Sequence, residues 1–330
     1  MRWNGFRLLS MDGTACRVPN EPELLEEFGK HTNQHTVVPS CRWLIVFDLL
    51  NKILINVILH KRKQGEITVA MPLVDKLDKK DLVIYDRGFD GTALLYLHQK
   101  FGSNCIIRTK TSFNSTVKDF VQSTDKERIV VLRMGERAVR ALKKLGHKVT
   151  RKDRIQVRLI RVELKTGEVE VLMTTLLDLR KYPHRAFKEL YNKRWGIETS
   201  IFVLKSFFQS AVFSSYTLPG VQQEIWANFA MYNLQSIFLM AQQKSVDKIS
   251  SKRKFNYQIN RNIGVGLIKR FFPFIFCDKI KDWYARVKAL LKEQIKHLEP
   301  IRSRQDRPRK RRILRGNDRH IYESNYKPTL

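Results

Sequence analysis

Two short apolar runs that each break off at a carboxylate constrain this chain most. Residues 6–12 read FRLLSMD and residues 81–86 read DLVIYD, so Asp12 and Asp86 both stand at the end of a stretch too short and too β-branched or apolar for a helix. Residues 41–48 (CRWLIVFD) and 52–59 (KILINVIL) are two further strands, and the short link between them predicts an antiparallel hairpin. Residues 66–77 predict a helix interrupted at Pro72, residues 91–101 a second helix, and residues 104–108 a fifth strand. Strands interleaved with helices in this order predict an α/β fold: a mixed sheet flanked by helices. Open sheets of that kind place their sites at the C-terminal ends of strands, where Asp12 and Asp86 lie. The strand FRLLSMD is expected to stop at Asp12, with Gly13 and Thr14 turning the chain.

The balance of charge points to a polyanionic partner. The chain carries 62 Lys and Arg against 32 Asp and Glu, a formal +30. The excess is uneven. Residues 1–60 are neutral, whereas residues 241–330 hold 24 basic against 8 acidic side chains. A neutral start with a basic middle and end fits binding surfaces for nucleic acid. Charge alone leaves open an RNA-associated or membrane-surface protein without chemistry. Cys16, Cys41, Cys105 and Cys277 are far apart and form no CxxC pair, which argues against a zinc site or a disulfide framework and fits a reducing cytoplasm. The start lacks the apolar run of a signal peptide, and Asp48 and Lys52 interrupt the longest greasy stretch, so no membrane span is expected.

Five regions follow from this pattern: a first part of the core over 1–110, a β-rich basic insertion over 111–180, the rest of the core over 181–245, a helical C-terminal region over 246–300, and an Arg-rich, disordered tail over 301–330. The insertion contains strands near 128–134, 155–164 and 168–177. In the second of these Gln156, Arg158 and Arg161 are expected on or near one face, with Val157 and Leu159 on the other. Pro183 starts a long helix over 184–208, on which Tyr191, Arg194, Glu198 and Lys205 fall on one narrow face. Further helices are expected over 221–243 and over 262–298, the latter broken at FFPF. Each acid also has a plain structural reading. Asp12 could serve a turn, Asp86 could pair with Arg87 or cap the next helix, and Glu198 could be a surface ion-pair partner.

Three segments occur together and in order: SMDGT around Asp12, VIYDRGF around Asp86, and YNKRWGIETSIFVLK. The last fits Tyr, two residues, Arg, three residues, Glu, six residues, Lys. This resembles the YREK signature of the insertion sequence 4 family of DDE transposases, and the first two segments resemble that family's first- and second-aspartate segments. The resemblance covers residues 6 to about 208. It implies an RNase H-like core with a β-rich insertion between the second Asp and the Glu, and metal-dependent DNA strand cleavage and strand transfer at insertion-sequence ends. It implies two Mg²⁺ ions, replaceable by Mn²⁺, held by Asp12, Asp86 and Glu198, because hard cations take carboxylate oxygens and a pair of them steadies the attacking and leaving oxygens of a phosphoryl displacement. Tyr191, Arg194 and Lys205 are then expected at DNA phosphates, with Arg87, Arg158 and Arg161 as further DNA contacts. The implied partners are double-stranded DNA, as transposon ends and target, and a second copy of the chain in the assembled complex. The implied location is the bacterial cytoplasm, with the nucleoid.

Members of that family carry a separate N-terminal region that binds the terminal inverted repeats, while here the first catalytic strand begins within ten residues of Met1. The chain is therefore expected to be a fragment with impaired end binding, the alternative being a compact form relying on its basic insertion and tail. Two other functions remain open at this point: a truncated, inactive DNA-binding remnant, and a general nuclease without preference for particular ends.

Overall fold

The computed structural model describes residues 1–32, 37–164, 166–276 and 282–301. The Arg-rich tail beyond residue 301 and Cys277 lie outside the described residues. The chain forms two compact units, one of Met1–Cys16 with Leu25–Ile201, the other of Arg17–Leu24 with Phe202 onward.

The first unit is built on one sheet. In chain order its elements are β1 (Arg7–Arg17), α1 (Pro22–Phe28), β2 (Lys30–Thr32), β3 (Val37–Asp48), β4 (Ile53–Lys61), α2 (Glu66–Ala70), β5 (Asp81–Tyr85), α3 (Thr92–Phe101), β6 (Asn104–Thr109), α4 (Ser115–Gln122), β7 (Glu127–Arg133), α5 (Glu136–Lys144), β8 (Arg154–Glu163), β9 (Val169–Thr174), α6 (Ala186–Asn192) and α7 (Trp195–Ser206), the last crossing into the second unit. Among the described residues nine strands join in the order β2-β3-β1-β5-β6-β9-β8-β7, with β4 pairing β3. β1, β5 and β6 run parallel, whereas β3–β4, β6–β9, β9–β8 and β8–β7 are antiparallel. The expected mixed sheet flanked by helices is therefore present. The strands of the basic segment extend this same sheet rather than forming one of their own.

Every residue of β5 is buried, because helices cover both faces of the middle of the sheet. One face carries a core in which Leu9, Val83, Tyr85, Ile107, Val157 and Met173 meet Leu94 and Leu97 of α3, Phe120 of α4 and Leu142 of α5. Phe187 of α6 lies against the other face, stacked on Arg158 with the guanidinium 5.1 Å from the ring centre.

Two local expectations are corrected and a third holds. β1 does not stop at Asp12 but continues to Arg17, so Gly13 and Thr14 are strand residues rather than a turn. The helix over 184–208 is two helices, parted at Lys193–Arg194 by tight turns in which Arg194, Gly196 and Ile197 N–H groups reach carbonyls three residues back. The helix expected over 66–77 is interrupted at Pro72 as anticipated: α2 gives way to a 3-10 turn over Met71–Lys76, with Pro72 at its start, where a missing N–H is harmless.

The second unit is mainly helical: α8 (Leu218–Ser250), α9 (Arg261–Phe276) and α10 (Trp283–Gln294), with a small antiparallel pair, β10 (Tyr257–Ile259) and β11 (Leu298–Pro300). Pro273 lies inside α9 instead of breaking it at FFPF. Phe238, Ile268, Ile275 and Leu290 form its core. Beside them Gln294 bonds Gln242 at 2.8 Å and Gln235 at 2.9 Å, a buried amide chain that the polar letters of these helices did not announce. No described helix is long and apolar enough to cross a membrane.

Candidate active site

The register of two strands brings the first two carboxylates together. In the parallel pair β1–β5, Arg7 faces Asp81 and Ser10 faces Ile84, an offset of 74 residues. That ladder runs as far as Ser10 and Ile84; Asp12 and Asp86 each follow two residues later, and the Asp86 charge is felt at Asp12. Both strands are anchored. Arg7 grips Asp81 through two hydrogen bonds of 2.8 Å. Tyr85, the residue before Asp86, is buried and shares a 3.0 Å hydrogen bond with His98 of α3, whose other ring nitrogen meets Ser103 at 2.7 Å. Burial pushes the His98 imidazole down to about 3, so this anchor is neutral. Beyond β5, Asp86 accepts a hydrogen bond from the Gly88 N–H and caps the turn Arg87–Phe89. Asp90 then ties that turn to the end of β6 through Thr109 and the Lys110 N–H.

Glu198 arrives from the first turn of α7. That turn is seated by Ile197, which is fully buried, and by Gly196, where a side-chain Cβ would touch Leu49. Arg194, only 5% exposed, lies between two of the acids: its guanidinium bonds Glu198 at 2.5 Å and stands 3.9 Å from Asp12. Asp12 Oδ1 meanwhile accepts the Gly13 N–H at 2.9 Å. Burial, then the neighbouring Asp86 charge, pushes the Asp12 carboxyl up to about 6, against the pull of Arg194.

The structure therefore brings Asp12, Asp86, Arg194 and Glu198 to one place. As they stand they are carboxylates bridged by a guanidinium: among the described residues no group of three or more His, Cys, Asp or Glu is set to hold a metal ion. The donor chemistry nevertheless fits a hard divalent cation, since every acid contributes oxygen and Asp12 carries charge that one guanidinium does not fully offset.

Other expected contacts divide. Arg87 is exposed and, with Asp86, lines a cavity of about 730 Å³ shared with Arg108, Lys110, Ser112 and Phe113. Tyr191 is buried on α6, and among the described residues its hydroxyl has no hydrogen-bond partner, nor has Nε of Arg194 or of Arg108. Lys205 lies one helix further on, in the second unit. Arg158 must be corrected. It is 0% exposed, bonded to Glu127 and to the Tyr182 carbonyl, so DNA cannot reach it. Arg158 and Arg161 do not share a face of β8: Arg158 stacks on Phe187 of α6, whereas Arg161 lies over Phe120 of α4, on the side of Val157 and Leu159. Arg161 is likewise committed, donating to the carbonyls of Phe120, Val121, Ser123 and Asp125 around the C-terminal end of α4.

Arg108 and Lys110 were missed, although alternate basic residues at the end of CIIRTK were visible. Glu66 was missed as well. It is half-buried and paired with Arg42 at 3.0 Å; burial, with the Asp86 charge adding to it, raises its carboxyl above the usual range against Arg42. Nothing in the sequence near Glu66 connects it to Asp12.

A stability test follows from Asp12. Its carboxyl holds its proton more tightly folded than unfolded, where about 3.9 is usual, so the fold is favoured while Asp12 is protonated and loses that advantage as pH rises through the window from about 4 to 6. Between pH 5 and 7.5 this amounts to on the order of 1 kcal/mol, lowering the metal-free melting midpoint by about 2–4 °C. Mg²⁺ or Mn²⁺ is expected to restore the midpoint at pH 7.5 and to do little at pH 5. Calorimetric melts showing equal midpoints at both pH values would contradict the strained acid pair.

The family described as "Transposase DDE domain" matches residues 3–234. The chain is 25% identical over 239 residues to "Transposase InsG for insertion sequence element IS4" of Escherichia coli (strain K12), covering 70% of this chain and 52% of that protein. It is 27% identical over 105 residues to "Putative transposase InsZ" of the same organism, covering 31% of this chain and 35% of that one. The chain thus spans about half the length, or less, of these curated relatives. Among solved structures it is similar to a piggyBac transposase synaptic complex with hairpin DNA, at a TM-score of 0.45 and 11% identity, over 98% of this chain and 58% of that one.

Proposed function

Because the chain belongs to the transposase DDE-domain family, we propose that it cuts a DNA strand at an insertion-sequence end and joins the freed 3′-OH to target DNA, using Asp12, Asp86 and Glu198. The observation that supports this most directly is the Arg194 guanidinium, which links Glu198 to Asp12, with the Asp86 charge felt at Asp12 from beyond the end of β5. Asp12, Asp86 and Glu198 would hold a pair of Mg²⁺ ions, which supply Lewis acidity at the attacking and leaving oxygens. Arg194 would release Glu198 to the cation and turn toward a DNA phosphate, joining the buried, unpartnered Tyr191 hydroxyl. Arg87, Arg108 and Lys110 ring the adjoining cavity and fit the phosphodiester backbone next to the scissile bond, with Phe113 offering an apolar wall to a sugar or base. Double-stranded DNA is the partner, two copies of the chain would be needed to hold two ends, and the bacterial cytoplasm would be the place of action.

The test is cleavage of DNA bearing the element's own ends, with Mg²⁺ or Mn²⁺, by the chain and by its Glu198→Gln variant. Loss of cleavage in the variant supports the assignment. Retention of DNA with no cleavage under either metal would instead make the chain a DNA-binding remnant.

The basic charge of the inserted strands also finds a place, though not at Arg158. Exposed Lys126, Arg185 and Lys188 surround a second cavity of about 330 Å³, with His184 beside them. Replacing the three exposed cations by alanine is expected to weaken DNA binding and to lower the slope of log affinity against log salt by about 2–3, since each phosphate contact released removes roughly 0.9. An unchanged slope in filter-binding titrations would exclude this cavity as a backbone contact.

A further inference from the structure

Glu66 opens α2, immediately after the hairpin β3–β4. Its carboxylate occupies the space above the Gly13 backbone. A Cβ built on Gly13 would fall on Glu66 Oε1, with Cδ and Cγ of the same side chain directly behind, so the missing side chain after Asp12 is what admits the acid. Arg42 of β3 holds Oε1 from the other side at 3.0 Å. The charge of Glu66 is felt at Asp12, and that of Asp86 at Glu66, so all three acids share one neighbourhood. Asp12 is thereby flanked: its Oδ1 faces Gly13, over which Glu66 lies, and its Oδ2 faces Arg194.

We propose that Glu66, fixed by Arg42, is a fourth functional carboxylate of the site, one that accepts a hydrogen bond from the attacking water and aims it at the phosphodiester. This rests on the strand-cleavage reading above. Arg42 takes Oε1, and the remaining lone pairs of the carboxylate accept O–H groups well. Its side chain is 26% exposed, enough for water to reach it. In the step concerned the water oxygen bonds to phosphorus, the bond from phosphorus to the 3′ oxygen breaks, the water's proton passes to solvent, and the departing oxygen takes a proton to become the 3′-OH. Joining that 3′-OH to a second DNA uses no water, so the two steps depend on Glu66 differently.

The experiment compares Glu66→Gln with the unmodified full chain in two reactions: hydrolysis of uncut ends, and strand transfer from ends supplied already cut. Arg42 demands an acceptor, so the glutamine carbonyl would turn to it and present N–H₂ to the water, a donor where an acceptor is required. Hydrolysis is expected to fall about 30-fold or more, with transfer changed less than about 3-fold, as orienting a nucleophile is commonly worth one to two powers of ten. Arg42→Met, which leaves the acid but frees it, is expected to show the same imbalance in smaller degree. Mn²⁺ binding to the protein without DNA, followed by calorimetry, should stay within about 3-fold in Glu66→Gln. An equal fall in both reactions, an undiminished hydrolysis, or a loss of Mn²⁺ binding in Glu66→Gln would each overturn the proposal. Asp86→Asn separates the two levels: if that variant still cuts, the strand-cleavage assignment itself fails; if it is inert while Glu66→Gln cuts normally, only the role of Glu66 does.

Discussion

Asp86→Asn is expected to lower strand cleavage on DNA with the element's ends by about a thousandfold or more in Mg²⁺ and in Mn²⁺, while the protein stays folded. The local geometry makes the substitution clean. Asp86 Oδ1 caps its turn by accepting the Gly88 N–H at 2.7 Å, and the asparagine carbonyl can make the same bond. What disappears is one negative charge, felt at Asp12, and one anionic oxygen donor. Losing a single electrostatic contact to a transition state commonly costs two to three powers of ten, and a metal-holding carboxylate supports more than one such contact. The same variant carries an internal control. The Asp86 charge is one reason the Asp12 carboxyl is raised, second to burial, so the metal-free Asp86→Asn protein should melt higher at pH 7.5 than the unmodified chain. Cleavage within about tenfold of the unmodified rate, in a protein shown to melt cooperatively, would remove Asp86 from the catalytic set.

The second large effect concerns stability and sits in the extended sheet. Glu127→Ala is expected to destabilise the first unit by about 3–5 kcal/mol, whereas Arg158→Met should cost far less. Arg158 has no exposure, and its guanidinium is satisfied by the Glu127 carboxylate, by the Tyr182 carbonyl at 2.7 Å and by the face of Phe187. Removing the acid strands a full charge beneath α6 with one neutral acceptor. Removing the base instead leaves an apolar chain of similar length against Phe187, and Glu127, 23% exposed, can turn to water. Urea unfolding of the two single variants and the double variant measures the asymmetry. Equal costs, or the methionine variant being worse, would show that Arg158 is not held as a buried ion pair.

How much of this was legible in the letters depends on the range over which each feature is decided. The strand DLVIYD, the hairpin that WLIVFD opens, α3 and the three strands of the basic segment all follow from local periodicity, and each lies within a few residues of its expected position. Asp12 and Asp86 could be picked out because each follows an apolar strand within sight in the sequence. Where β1 would stop could not: Gly13 and Thr14 favour a turn locally, but a strand flanked by β3 and β5 keeps its ladder and runs on to Arg17. The division of the 184–208 helix at Arg194 has the same character, since nothing in YNKRWG forbids a continuous helix.

Local spacing alone thus carried the alternation of strands and helices, the two aspartates that close apolar runs and the spacing from Tyr191 through Lys205, because those depend on which side chains lie within a turn or a pleat of one another. Only the tertiary structure decided which charges are at work. It buried Arg158 under α6, committed Arg161 to carbonyls of a distant helix end, set Arg194 between Asp12 and Glu198, and slid Glu66 over Gly13. A charge's role depends on its desolvation and on partners tens to hundreds of residues away, and neither quantity is carried by local spacing.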